Sequence, residues 1–117
     1  MICSLQKKFS VKITDLTAGI DSIPMLTGSN FKEWKDNLEI ILGCLDLDTA
    51  LQEAKPPVPV ETSYDKEQNK HARWMRSNRL CLRVMQKTIP ESFRGPVSDS
   101  TLAKDYLKEL EQRFVRN

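Results

Sequence analysis

Apolar residues recur along this chain at two different spacings, and the change from one to the other divides it into elements. Phe9, Val11 and Ile13 alternate with Ser10, Lys12 and Thr14, the period of a half-buried strand or an extended arm. So short a stretch forms no sheet by itself, and residues 1–22 therefore read as a flexible N-terminal arm, either docked or disordered. From Phe31 the spacing becomes three and four, through Trp34, Leu38, Ile41, Leu42 and Leu45. At about 100° per residue these positions occupy an arc of roughly 100°, the apolar stripe of a helix that faces a core. Asn30 precedes the stripe and Glu33 follows three residues later, a capping-box pattern that also sets a carboxylate at the positive end of the helix dipole. Gly43 weakens the helix near its end.

A short second helix is predicted over residues 46–52, with Asp48 as its cap and Leu47 and Leu51 on its packing side. Pro56, Pro57 and Pro59 then exclude helix and make a stiff connector. The longest helix is predicted from residue 63 or 64 to 88, burying Trp74, Asn78, Cys81, Leu82 and Met85. Arg76, Arg79, Arg83 and Lys87 fall on the opposite side of its wheel within an arc of roughly 80°. Leu80 and Val84 point between the stripe and the basic residues, toward another element of the domain or toward a second molecule. Pro90 ends this helix, and Gly95-Pro96 marks a turn. Ser98, Asp99 and Ser100 offer caps for a last helix carrying Leu102, Tyr106, Leu107, Leu110 and Phe114 on one face. The fold expected is all-α, a small bundle of about four helices spanning residues 23–117 around Phe31, Trp34, Leu38, Leu42, Trp74, Leu82, Met85, Tyr106 and Leu110.

Composition refines this picture. An apolar fraction of 39% with 29% charged residues and a net charge of +2 suits a small globular domain and argues against wholesale disorder. The charge is unevenly spread: residues 31–53 carry two lysines against six carboxylates, and residues 64–90 carry seven Lys or Arg against two. Cys3, Cys44 and Cys81 lack both the spacing of a zinc site and the density of a disulfide framework, which fits a reducing compartment. With no signal-like run and no membrane-length apolar stretch, the expectation is a soluble, cytoplasmic protein without membrane contact.

Leu26, Gly28, Asn30, Phe31 and Trp34 stand in the order L-x-G-x-N-F/Y-x-x-W, which resembles the opening of the helical region of Gag polyproteins from plant copia-type LTR retrotransposons. An aliphatic helix ending near Leu51, a proline-containing connector, a helix with the central Trp74, the pair Ile89-Pro90, and a last helix with Ala103 and Tyr106 follow in the family's order. The family usually has tryptophan where Tyr106 stands. The resemblance covers about residues 23–114. It implies a capsid-like domain of a transposable element that self-associates into a cytoplasmic particle around RNA. In the family the helices continue beyond the position of Asn117 into a zinc knuckle, so the chain is expected to be a truncated Gag, a relic copy or a fragment retained by the host. The alternative function is a host-retained helical adaptor that binds RNA or a protein partner.

Candidate chemistry changes the picture little. No nucleophile–base pair, carboxylate pair, phosphate loop or metal cluster stands out, so no enzyme, cofactor or small-molecule substrate is expected. His71 reads as a solvated or edge-of-core imidazole. Asp46 and Asp48 read as a solubilising charge and a cap, and Gly28 as support for the turn into the first helix. Trp34 and Trp74 lie on apolar stripes and read as core anchors rather than base-stacking platforms. The basic face of Arg76, Arg79, Arg83 and Lys87 is the functional candidate. It is an ordinary solvated face, or it pairs with the acidic first helix of a neighbouring copy, with Glu39 a candidate partner, or it contacts RNA phosphates.

Overall fold

The computed structural model describes residues 18–62, 64–98 and 100–115. Among them the fold is all-α: α1 Phe31–Cys44, α2 Thr49–Gln52, α3 Asp65–Thr88, α4 Glu91–Arg94 and α5 Ala103–Val115. The alternating segment from Phe9 to Thr14 lies outside the described residues. Residues 18–22, assigned to the arm by sequence, are ordered differently: 18–21 are helical, and Ile20 packs against the core.

Helix α1 buries Phe31, Trp34, Leu38 and Leu42, the stripe its spacing predicts. Its N-terminus departs from the capping-box expectation, because the Asn30 side chain makes no cap bond. Asn30 instead turns back along the chain, its Oδ1 accepting from the Thr27 amide at 2.7 Å and its Nδ2 donating to the Met25 carbonyl at 3.0 Å. At the other end the Leu47 amide reaches the Leu42 carbonyl and the Asp46 amide reaches that of Gly43, a Schellman closure. Asp46 occupies its left-handed position, with φ 60°, where glycine is usual. That reversal confines the second helix to Thr49–Gln52, shorter than predicted, and Asp48 holds its N-cap position without a side-chain bond.

Helix α3 is the axle. It buries Trp74, Asn78, Cys81, Leu82 and Met85 as predicted, together with Ser77, Val84 and Thr88. Its start is secured by the Tyr64 amide donating to the Glu67 carboxylate at 3.0 Å. Val84, left open by the sequence, belongs to the core of this chain at 6% exposure. The polar members of the buried stripe each grip another part of the backbone. Thr88 Oγ1 accepts the Trp34 indole N–H at 3.0 Å and donates back to the carbonyls of its own last turn, while its carbonyl accepts the Leu26 amide at 2.8 Å. Ser77 donates to the Leu47 carbonyl at 2.7 Å and accepts the Ala50 amide at 2.9 Å, and the Cys81 thiol donates to the same Leu47 carbonyl at 3.1 Å. The Trp74 indole donates to the Glu53 carbonyl at 2.9 Å. Read from Thr88 back to Trp74, these partners run forward from Leu26 to Glu53, so the chain from 26 to 53 lies antiparallel along α3.

The following segments are held the same way. Asn78 Oδ1 accepts the Ala103 amide at 2.7 Å and its Nδ2 donates to the Thr101 carbonyl at 3.0 Å. The first amide of α5 is therefore capped from α3, whereas Ser98 and Ser100, expected to supply local caps, bond each other, and the Ser98 amide donates to Thr101; Asp99, the third expected cap, lies outside the described residues. One extra helical turn, α4, follows Pro90 and ends at Gly95, whose φ of 68° favours glycine. Phe93 on α4 meets Phe114 on α5 edge-on at 5.1 Å, and Phe114 stacks on Phe31 of α1 at 6.2 Å. Tyr106 donates to the Arg94 carbonyl at 2.6 Å, closing the turn between α4 and α5.

All nine core residues expected from the sequence are buried. Trp34→Ala removes a fully buried indole and is expected to cost about 3–5 kcal/mol in urea unfolding. Thr88→Val keeps the shape but strands the indole N–H, and about 1–3 kcal/mol is expected. Gly28→Ala is expected not to lower the urea midpoint, and to raise stability by up to about 1 kcal/mol, because a Cβ there meets nothing within 4 Å and the unfolded chain loses freedom.

Candidate functional site

The residues singled out by sequence separate into two groups. Leu26, Phe31, Trp34 and Trp74 are buried, at 0%, 5%, 0% and 3% exposure, and both indole N–H groups are consumed by internal acceptors. They are core anchors. Gly28 is exposed in the bend before α1, and no left-handed φ or close approach demands glycine there. It sits in the turn into the first helix, where the sequence reading placed it, and that turn makes no conformational demand for glycine.

Arg76, Arg79, Arg83 and Lys87 are all exposed on α3, brought onto one face by the three- and four-residue spacing. None makes an ion pair with a described residue; the pairs present are Lys35–Glu111, Arg73–Asp46 and Arg113–Glu109, each at 3.5 Å. Beside this face the segment at Val97 and Ser98 runs past α3 and leaves a groove of about 380 Å³. Leu82, Met75 and Val97 give it apolar walls, and Arg79, Arg83 and Gln86 line its polar side. Asn78 also borders it, with both side-chain heteroatoms already engaged.

The acidic counterpart lies on α1. Glu33 and Asp36 are exposed, whereas Glu39, the carboxylate nominated from sequence, is half-buried. Ile40 stands on the Glu33–Asp36 side of the helix and is 62% exposed. Sequence reasoning overlooked both Ile40 and the groove. An aliphatic residue on the polar side of an otherwise regular wheel was the available signal for the first. The groove had none, since its walls come from positions separated by an unpredicted turn.

The remaining candidates take structural places. Asp46 pairs with Arg73, an exposed contact of small energetic weight. His71 is half-buried at the edge of the core, with its Nε2 enclosed and without a hydrogen-bond partner among the described residues. Among the described residues no cluster of three or more His, Cys, Asp or Glu is placed to hold a metal, and no helix is long and apolar enough to cross a membrane. Cys81 is fully enclosed, and burial, with a smaller contribution from Asp48, pushes its thiol up to about 11 against the opposing Ser77 hydrogen bond. Tyr106 is also raised, chiefly by burial, with Arg113 and Arg94 acting in the opposite sense.

No family model, curated protein or solved structure matches the chain.

Cys81 gives this part of the molecule a pH dependence. Its folded-state value lies above the ordinary 9.0, so the unfolded chain loses the proton first. Stability is expected to be unaffected by this thiol below pH 9 and to fall as pH rises from 9 to 11, with Tyr106 adding to the decline. Urea midpoints across that range should show a smaller decline in Cys81→Ala. In a Cys3→Ser background, iodoacetamide at pH 8 should modify exposed Cys44 while Cys81 reacts only on unfolding.

Proposed function

We propose that the chain is a structural, self-associating helical module of the copia-type Gag kind, whose contacts between copies are made by oppositely charged faces. The observation that carries this reading is the segregation of charge. Glu33 and Asp36 on α1, and Arg76, Arg79, Arg83 and Lys87 on α3, are exposed and make no ion pair with a described residue. Surfaces of opposite sign on a rigid body attract across copies, set orientation and speed encounter.

The resemblance to Gag supports the same reading. Of the positions that carry it, Leu26, Phe31, Trp34, Trp74 and Ala103 are all in the interior, so the pattern is one that this packing requires. A motif carried mainly by core positions speaks to the fold, and the function then rests on what the fold exposes. Here that is a pair of complementary faces. Both tryptophans are enclosed and unavailable for base stacking, which favours a protein contact over nucleic-acid binding as the primary use of these faces.

Light scattering on the purified chain over a concentration series is expected to show a mass that rises reversibly with concentration. The rise should weaken from 0.15 M to 1 M salt, as the screening length falls from about 8 Å to about 3 Å. A strictly monomeric, folded chain at every concentration overturns the reading.

A further inference from the structure

The faces that carry the charge also carry shape. On α3 the groove beside Arg79 and Arg83 is floored by Leu82 and Val97, so it presents an apolar depression edged by two guanidinium groups one helical turn apart. On α1 the relief is inverted. Ile40 projects at 62% exposure, and Asp36 and Glu33 precede it by one and two turns on the same side of the helix. A projecting aliphatic side chain flanked by carboxylates is the complement of a recess flanked by guanidiniums.

The remaining exposed large apolar residues lack this arrangement. Met25, Val58, Val60 and Tyr64 lie in connectors, and Val115 is the last residue of α5. None stands within a helix beside two carboxylates on the same face. The groove, for its part, offers no exposed aromatic ring for a nucleic-acid base, while its floor suits an aliphatic group. Charge complementarity and the apolar floor together select a second copy of this chain as the occupant.

We infer that α1 of one copy docks in the α3 groove of the next, seating Ile40 on Leu82 and Val97 and setting Glu33 and Asp36 against Arg79 and Arg83. This rests on the self-association reading and specifies the surfaces that perform it. Burying the aliphatic side chain removes water from around the charges, and guanidinium–carboxylate pairs made there are directional, which fixes register. Ile40 of a given copy is exposed, so it does not fill that copy's own groove. The contact therefore joins the donating helix of one copy to the groove of another: donation and receipt by the same neighbour give a two-fold dimer, and by different neighbours a ring or an open chain.

A contact between two unlike faces has a distinctive test, because each half can be disabled separately. Ile40→Asp disables the donating face and leaves the groove intact. Arg79→Glu with Arg83→Glu disables the groove and leaves the donating face intact. All three positions are exposed to solvent and their side chains bond no described residue, and circular dichroism and urea midpoints check that both variants fold. Each variant alone is expected to be monomeric by light scattering at concentrations where the unaltered chain associates. An equimolar mixture is expected to double in mass and stop at two chains, since one good donor meets one good groove and no further contact is available.

Variants that associate as the unaltered chain does would overturn this docking while leaving self-association standing. Two monomeric variants whose mixture stays monomeric would show that the two faces do not meet each other, and would also overturn it. An unaltered chain that is itself monomeric removes both this inference and the reading beneath it. Mixed-sequence single-stranded RNA provides the last arm: if the unaltered chain binds it, the groove variant does not, and the groove variant self-associates normally, the groove belongs to phosphate and the inference fails.

Discussion

The structure depends on a set of hydrogen bonds that α3 makes from inside its own apolar stripe. Trp74, Ser77, Asn78, Cys81 and Thr88 are buried, and each meets a donor or acceptor that its surroundings would otherwise leave without water. Such bonds contribute modestly when made and cost far more when one partner is removed. They therefore act less as glue than as a register. Apolar packing alone tolerates sliding of one helix on another, whereas Leu47 and Ala50 must meet Ser77, and Glu53 must meet Trp74, in that order.

This register explains how so short a chain keeps irregular segments in place. The turn between α1 and α2, the segment before α1 and the start of α5 contain few regular backbone bonds, yet each is tied to a fixed point on one continuous helix. The aromatic contacts among Phe31, Phe93 and Phe114 join α1, α4 and α5 directly. Surfaces carried by α1 and α3 consequently have a defined relation to one another. A projecting face and a receiving groove can propagate an assembly only when that relation is rigid.

What the sequence revealed follows from the same physics. The positions of α1, α3 and α5 were legible because burial by a single neighbouring layer imposes a three-and-four spacing, and the basic face of α3 is the remainder of that wheel. Caps were misread because other partners, near or far in sequence, compete for the same groups. Asn30 had the identity and spacing of a capping residue but turned toward Met25 and Thr27, and the first amide of α5 is satisfied by Asn78 rather than by the neighbouring serines. Ser77 and Thr88 look like ordinary helical polar residues until the backbone groups they bind are known. Helix α4 was hidden because Pro90 signals an end, although a proline also fits the start of a new turn. At the candidate site the arginines could be read from one helix, but the groove needed Val97, which only the folded chain brings beside Leu82.

The pairing of Trp34 with Thr88 spans 54 positions of sequence, and it bears on the order in which a growing chain acquires its structure. When α1 leaves the ribosome it has an apolar stripe and an indole donor but no acceptor, and it must wait until the far end of α3 has been synthesised. Helix α2 obtains its partner at Ser77 earlier, and α5 only after both. Synthesis thus presents the first helix in an unfinished state for as long as it takes to make the next two. During that interval the carboxylates of Glu33 and Asp36, on the same helix as the stripe, oppose its contact with other apolar surfaces.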